Sequence, residues 1–498
     1  MKNKLRKTNS GITLIALVIT IIVMLILSGI AIATLTGDNG LITQANRAKE
    51  ETEKAEKEEK YNLAQQEDLI NEYATGIKVE QVTDTNPGVL EGTGTEIDPY
   101  IIKSIEDLVF FAYDVTNGNT YEDKYVTLGL SLDFNSTKSY VDAYRTDYGT
   151  YGYDGELKTL LTSGEGFKPI GTTSNINAEQ YSFTGTFDGN NNAIIGIYIN
   201  TEQIPNKEKR VGLFGSNYGV IQRLGIINGN ISITMNSVTC DIGSITAKNY
   251  NKISDCYCYT NINMNLQDTI TGSVRGGGIC SGNENETILE NSYHSGKIYV
   301  KGNMTGDILI GGISSGTSGK ITKCFSKGSI EINTQNNGSL QIGGIIGTLN
   351  GNINNCYNRK RITVENNSSA EFTFIGGIAG KINSGSINLC YNAGKIEGLG
   401  NLINTKIGSI VGQTLININN CYYLTGTSEN GVGDNYTPSL EHNIVEKTEE
   451  QMKSNEFLNL LNQNNENIWK VDSNNINNGY PILYWEDSNE DKFVSLMY

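Results

Sequence analysis

The sequence predicts an all-β fold, a parallel and right-handed β-solenoid with about 33 residues per rung, preceded by a long N-terminal α-helix that crosses a membrane and continues as a stalk. Three observations predict it. Residues 211–425 repeat the same apolar columns at a near-constant interval, residues 12–36 are apolar and almost uncharged behind a basic leader, and 56 glycines against 6 prolines supply many turns without proline-rich linkers.

Taken in chain order, residues 1–11 form a basic leader with Lys2, Lys4, Arg6 and Lys7, and no charge follows from Gly11 through Gly37. The stretch "ITLIALVITIIVMLILSGIAIATL" exceeds the roughly 20 apolar residues that span a bilayer and is too long for a signal-peptide core. The expectation is a retained single-pass transmembrane helix over 12–36 with the basic leader in the cytoplasm and the bulk of the chain outside the cell membrane. Residues 37–74 read as a charged stalk helix, since Glu50, Glu53 and Glu56 each precede a lysine (Lys54, Lys57, Lys60) by four residues, the favourable order for helical ion pairs. Residues 75–99, with a Pro-Gly pair and no helical period, read as a linker.

The repeats carry the fold prediction. Leu213, Ile245, Ile279, Ile313, Ile345, Ile378 and Ile410 form one column, and Ile221, Ile253, Leu289, Ile321, Ile353, Ile387 and Ile418 a second. Three residues after the second comes a third: Leu224, Cys256, Ser292, Cys324, Cys356, Cys390 and Cys421. A fourth runs through Ile262, Ile298, Ile330, Ile362 and Ile396. Three short β-prone pieces per repeat cannot bury these side chains alone, but stacked rungs can. The three-residue step between the second and third columns breaks strand alternation and predicts a bend there. Glycines fit the corners, where positive φ or close backbone approach is needed. A column that accepts Leu, Ser or Cys is a core position, so Cys256, Cys324, Cys356, Cys390 and Cys421 read as a buried ladder of small apolar filler, with disulfides between neighbouring rungs as the alternative.

Two resemblances extend this reading. The leader, the glycine and the "TLI" start of the apolar helix resemble the type IV pilin and pseudopilin N-terminus, which implies cleavage by a prepilin peptidase between Gly11 and Ile12. The family carries a glutamate at the fifth mature position, where it meets the neighbouring subunit's amine; here Ala16 stands there, which argues against filament growth while leaving processing and a minor role among pilus subunits open. The repeats, with "VGLFG" at 211–215, "IGGIIG" at 342–347 and "FIGGIAG" at 374–380, resemble the GLUG-motif family of bacterial surface proteins, adhesins and some secreted proteases. That resemblance implies leading coils over 100–210 with a capping helix at 104–117, and a C-terminal capping segment over 426–498.

Function is narrowed mainly by exclusion. A net charge of −16 disfavours nucleic acid, which needs clustered Lys and Arg. With only His294 and His442, both read as surface histidines, no H-E-x-x-H zinc protease motif exists, and neither G-x-S-x-G nor a P-loop occurs. No cofactor or metal is expected: Cys240, Cys256, Cys258 and Cys280 lack zinc-ligand spacing, and Asp188 in "FDGNNN" reads first as a turn residue. Tyrosines in the "CYC", "CYN" and "CYY" words read as a row facing outward along one side, suited either to binding or to stabilising the ladder. No Asp or Glu is read as recurring in register. The expectation is a non-enzymatic, pilin-like surface protein displaying a β-solenoid for adhesion, its partners the membrane and a surface carbohydrate or protein; the alternative is a β-helix polysaccharide lyase or hydrolase.

Overall fold

Runs of Ile, Val and Thr alternating with polar residues, cut every few positions by Gly, Asn or Ser, favour short strands over helix. The computed structural model describes residues 90–134, 161–171, 179–202, 209–235, 239–267, 271–284, 286–436, 439–463 and 467–486. The chain divides into two compact units, residues 1–87 and 88–498, and the described residues belong to the second. Gly11, Ile12 and Ala16, the transmembrane and stalk helix and most of the linker lie outside them. Among the described residues no helix is long and apolar enough to cross a membrane.

The second unit is a parallel β-solenoid of about 7 turns. Partners in the second apolar column are paired strand to strand, Ile221 with Ile253, Leu289, Ile321, Ile353 and Ile387 in succession, at steps of 32, 36, 32, 32 and 34 residues. Each rung visits four faces rather than the three strand pieces expected. In one rung Leu340–Gly343 lies on the first face, Ile346–Leu349 on the second, Asn352–Asn354 on the third, and Tyr357–Asn358 with Ile362–Asn366 on the fourth. The word "IGGIIG" is therefore two strands with a corner between them. The corner needs glycine because of close approach: a β-carbon on Gly343 would sit 1.9 Å from the Ile346 carbonyl oxygen.

All four columns point into the core. Every residue of the first two is fully buried, and so are Leu224, Ser292 and the five cysteines of the third. The bend between the second and third columns is real and has one cause. The residue just before the third column, Arg223, Asp255, Asn291, Lys323, Asn355, Leu389 or Asn420, takes φ of 48–55° in every rung. Four of these seven are Asn or Asp, which tolerate the left-handed region best after glycine. Positive φ at this corner is thus supplied without glycine.

At the N-terminal end, the helix Ile105–Thr116 begins with a capping box in which the Ser104 side chain accepts from Asp107 N and the Asp107 side chain accepts from Ser104 N. Its buried Phe111 packs on Phe183 and Phe187, closing the first coils with aromatic rings. At the other end the chain turns back. Residues 449–486, two short helices (Glu449–Met452, Asn455–Leu461) and an antiparallel pair (Trp469–Lys470 with Ile482–Leu483), lie along the side of five rungs as a strap.

Candidate functional site

The tyrosines of the sequence motif open the fourth face. Tyr257, Tyr293, Phe325, Tyr357, Tyr391 and Tyr422 are paired in register from rung to rung. From Tyr293 to Tyr391 the rings stack with centroids 4.6–4.8 Å apart and planes within 10°. That is the strand spacing itself, so an in-register aromatic column stacks without distortion. The column ends where Gly225 stands in the next rung, because the Tyr257 ring occupies the space a side chain would need.

This row is not an open surface. It faces away from the solenoid's core, yet Tyr293, Phe325, Tyr357 and Tyr391 are buried under the strap. Trp485 stacks on Tyr293 and Phe325, Trp469 lies 5.5 Å from Tyr391, and Phe457 meets Tyr391 and Tyr422 edge-on. Polar tips are satisfied through the same contact. Tyr357 Oη donates to the Glu486 carboxylate at 2.7 Å, Lys327 Nζ pairs with that carboxylate at 2.8 Å, and Tyr391 Oη donates to the Pro481 carbonyl at 2.7 Å. The Trp469 indole donates to Asn355 Oδ1 at 3.1 Å, and Arg359 lies over the Tyr480 ring while its Nε donates to Asn477. Burial pushes the Tyr391 hydroxyl well above the usual phenol range. An outward tyrosine row is thus the seat of an intramolecular strap.

Where the strap stands clear of the third face it leaves a groove of about 390 Å³. Its floor is Thr322, Asn354 and Asn388, paired in register, and its far wall is Leu461 and Ile468. Lys320 and Lys323 border it. A second hollow, a shallow shelf of about 520 Å³ on the fourth face, is lined by Asn230, Tyr259, Asn261, Asn263, Ser295 and Lys297 among others. Charged residues elsewhere are largely consumed by one another: Asp241 is 3.6 Å from Arg275 and 3.7 Å from Lys248, and accepts from Ser281 Oγ at 2.8 Å.

The sequence-predicted positions fall as follows. All eight cysteines are free and buried. The five ladder thiols each donate to the carbonyl two residues back at 3.2–3.4 Å, as the Ser292 hydroxyl does to Glu290 at 2.7 Å. Burial raises the Cys256 thiol to about 12. Asp188 makes a turn, its Oδ1 accepting from Asn190 N at 2.7 Å, and also binds Arg223. Among the described residues no three His, Cys, Asp or Glu side chains converge as a metal site.

Three expectations need correction. His294 is fully buried, not on the surface: it follows the aromatic column, where Cys258, Ser326, Asn358 and Asn392 also point inward, and its Nε2 lies 2.9 Å from the Thr260 carbonyl. Desolvation lowers its pKa to about 4. His442 is half-buried in the strand His442–Lys447 rather than in a polar loop. Carboxylates do recur in register, on alternate rungs: Glu331 and Glu397 share one outward column with Thr363 between them. Each is committed to cations, Glu331 to Lys297 at 2.5 Å and Glu397 to Lys395 at 2.6 Å and Arg361 at 3.1 Å. The buried amide ladder Asn217, Asn249, Asn283, with links of 2.8 Å, went unread in the sequence, although its 32- and 34-residue spacing was the available signal.

No family model matches the chain. Halomucin of Haloquadratum walsbyi is 28% identical over 191 residues, 38% of this chain but 2% of Halomucin's length. Among solved structures, a protein from Bacteroides ovatus provisionally described as an immunoglobulin A1 protease aligns with a TM-score of 0.40 at 19% identity, over 80% of this chain and 96% of that one. Neither likeness assigns an activity to this chain.

Proposed function

We propose that the chain is a bacterial surface protein held in the membrane by a pilin-like N-terminal helix, processed before Ile12, that displays its β-solenoid for adhesion or binding. The observation that carries this reading is the periodic outer surface. In-register rows of amide and hydroxyl side chains repeat at strand spacing along the third and fourth faces, a geometry suited to a polymeric ligand. Ala16 favours a low-copy subunit or a single membrane-held molecule over a homopolymer, because an incoming amine would find no carboxylate in hydrocarbon.

The alternative reading, a polysaccharide hydrolase, needs one carboxyl group that keeps its proton near neutral pH and one that does not. Of the pair that shares a column, Glu397 has its pKa lowered by the hydrogen bond from Lys395, which suits only the ionised role, and Glu331 is taken up by Lys297 and so does not stand as a free acid opposite it. We therefore favour binding without catalysis. Antibody against residues 210–420 should label intact cells, and mass spectrometry of the membrane-extracted chain should find Ile12 first. Labelling only after cell lysis would overturn surface display, and an intact Met1 start would overturn the pilin-like processing.

A further inference from the structure

Two uncommitted cations meet at the groove under the strap. Lys320 is exposed and Lys323 half-buried at its border, and among the described residues neither has an ion-pair partner. The one carboxylate in the lining, Glu290, is committed to Lys252 at 2.8 Å. In a chain of net charge −16, the groove is therefore a local concentration of uncommitted positive charge, which draws an anion from solution.

The remaining lining says what kind of anion. Asn354 and Asn388 stand on adjacent strands about 4.8 Å apart, the scale of one pyranose ring. The Asn388 Oδ1 accepts from Asn420 at 3.1 Å, which leaves its Nδ2 donors facing outward from a fixed amide, and the Asn354 amide has no partner among the described residues. Opposite them, half-buried Ile468, backed by the buried Leu461, offers a narrow apolar wall for a sugar face. A bare phosphate or sulfate would use the lysines and leave the amides and the wall idle. An extended chain bearing carboxylates and hydroxyls uses all three.

We propose that this groove binds an acidic glycan, with uronate carboxylates on Lys320 and Lys323, hydroxyls on Asn354 and Asn388, and a ring face against Ile468. The proposal rests on the surface-binding reading above and names its ligand class. Because two independent parts of the fold, the rungs and the strap, form the two walls, the site exists only while the strap is docked.

The test is binding of the full chain, in detergent, to oligosaccharides of galacturonate, glucuronate and mannuronate, each beside its neutral hexose counterpart. At least one uronate should bind more tightly than its neutral form, and more weakly as salt rises. The Lys320→Gln/Lys323→Gln variant should weaken that binding by about tenfold or more, the loss expected for charged hydrogen bonds, with an unchanged circular dichroism spectrum. Asn354→Ala should weaken uronate and neutral forms alike. Charge-independent binding that ignores the lysine variant would overturn the groove assignment while leaving a glycan-binding surface protein. Failure of every uronate to bind, by a chain that still labels and adheres on cells, would overturn the acidic-glycan assignment alone.

Discussion

Replacing Trp469 with alanine should release the strap and leave the rungs intact. The indole is almost fully buried, lies 5.9 Å from Tyr357 and 5.5 Å from Tyr391, and donates to Asn355 Oδ1 at 3.1 Å. Truncating a buried tryptophan costs about 3–5 kcal/mol. The abandoned Asn355 amide regains water as the strap lifts, so about 4 kcal/mol is a fair figure for the local change, which corresponds to a rise of about 10³ in the opening constant. The strap contributes no strand to the four faces, and the ladder bonds between rungs survive its departure. Hydrogen exchange should therefore show residues 449–486 losing protection by about three decades while backbone amides of the strands around Phe325, Tyr357 and Tyr391 keep theirs. Trp469→Phe, which loses chiefly the indole hydrogen bond, should raise strap exchange only several-fold. Equal loss of protection in strap and rungs would refute the reasoning, since the strap would then be part of what holds the solenoid together.

Other outcomes follow from the core. Cys356→Ser should lower stability by about 1 kcal/mol or less, because the Ser292 hydroxyl already makes the same bond in this column, whereas Cys356→Asp buries a carboxylate without a cation and should cost about 3 kcal/mol or more; equal thermal melting of the two would mean the position faces water. His294 has its folded pKa lowered from 6.5 to about 4, so the unfolded chain takes up the proton first. Its contribution is complete above about pH 6.5 and is lost as pH falls toward 4, a change of about 3 kcal/mol. His294→Asn, the residue found in the same column at Asn358 and Asn392, should remove that part of the pH dependence in urea melts at pH 4.5 and 7.5, and an unchanged slope would show that other groups set it.

The inward columns were legible because repetition makes each position its own control: Ile345 or Ile353 could be an accident, but seven equivalents in register could not. The bend before Cys356 was legible for the same reason, as a fixed three-residue step. Other features were hidden by local composition. His294 sits in "NSYHSG", which looks like surface, and only its register with Cys258 and Ser326 shows that it points inward. The fourth strand of each rung was hidden at Gly343, where apolar residues flank the corner on both sides and the word "IGGIIG" shows no break. The cover on the tyrosines was beyond local reading. Tyr391 meets Pro481 and Asn477 across 90 and 86 residues, and Tyr357 meets Glu486 across 129, with no repeat to announce either contact.

The strap has a consequence for how the gene can change. Arrays of this kind lengthen and shorten by recombination between similar repeats, and each rung normally tolerates it because it touches only its neighbours. Here one segment grips five consecutive rungs at fixed points, from Trp485 on Tyr293 to Phe457 on Tyr422. An extra copy inserted between Tyr357 and Tyr391 would shift half of those points by about 4.8 Å, parting Glu486 from Tyr357 or Asn477 from Tyr391. A copy inserted before Tyr293 would disturb none of them. Natural length variants of this protein should therefore gain and lose repeats on the N-terminal side of Tyr293 and keep a constant number from there to Tyr422.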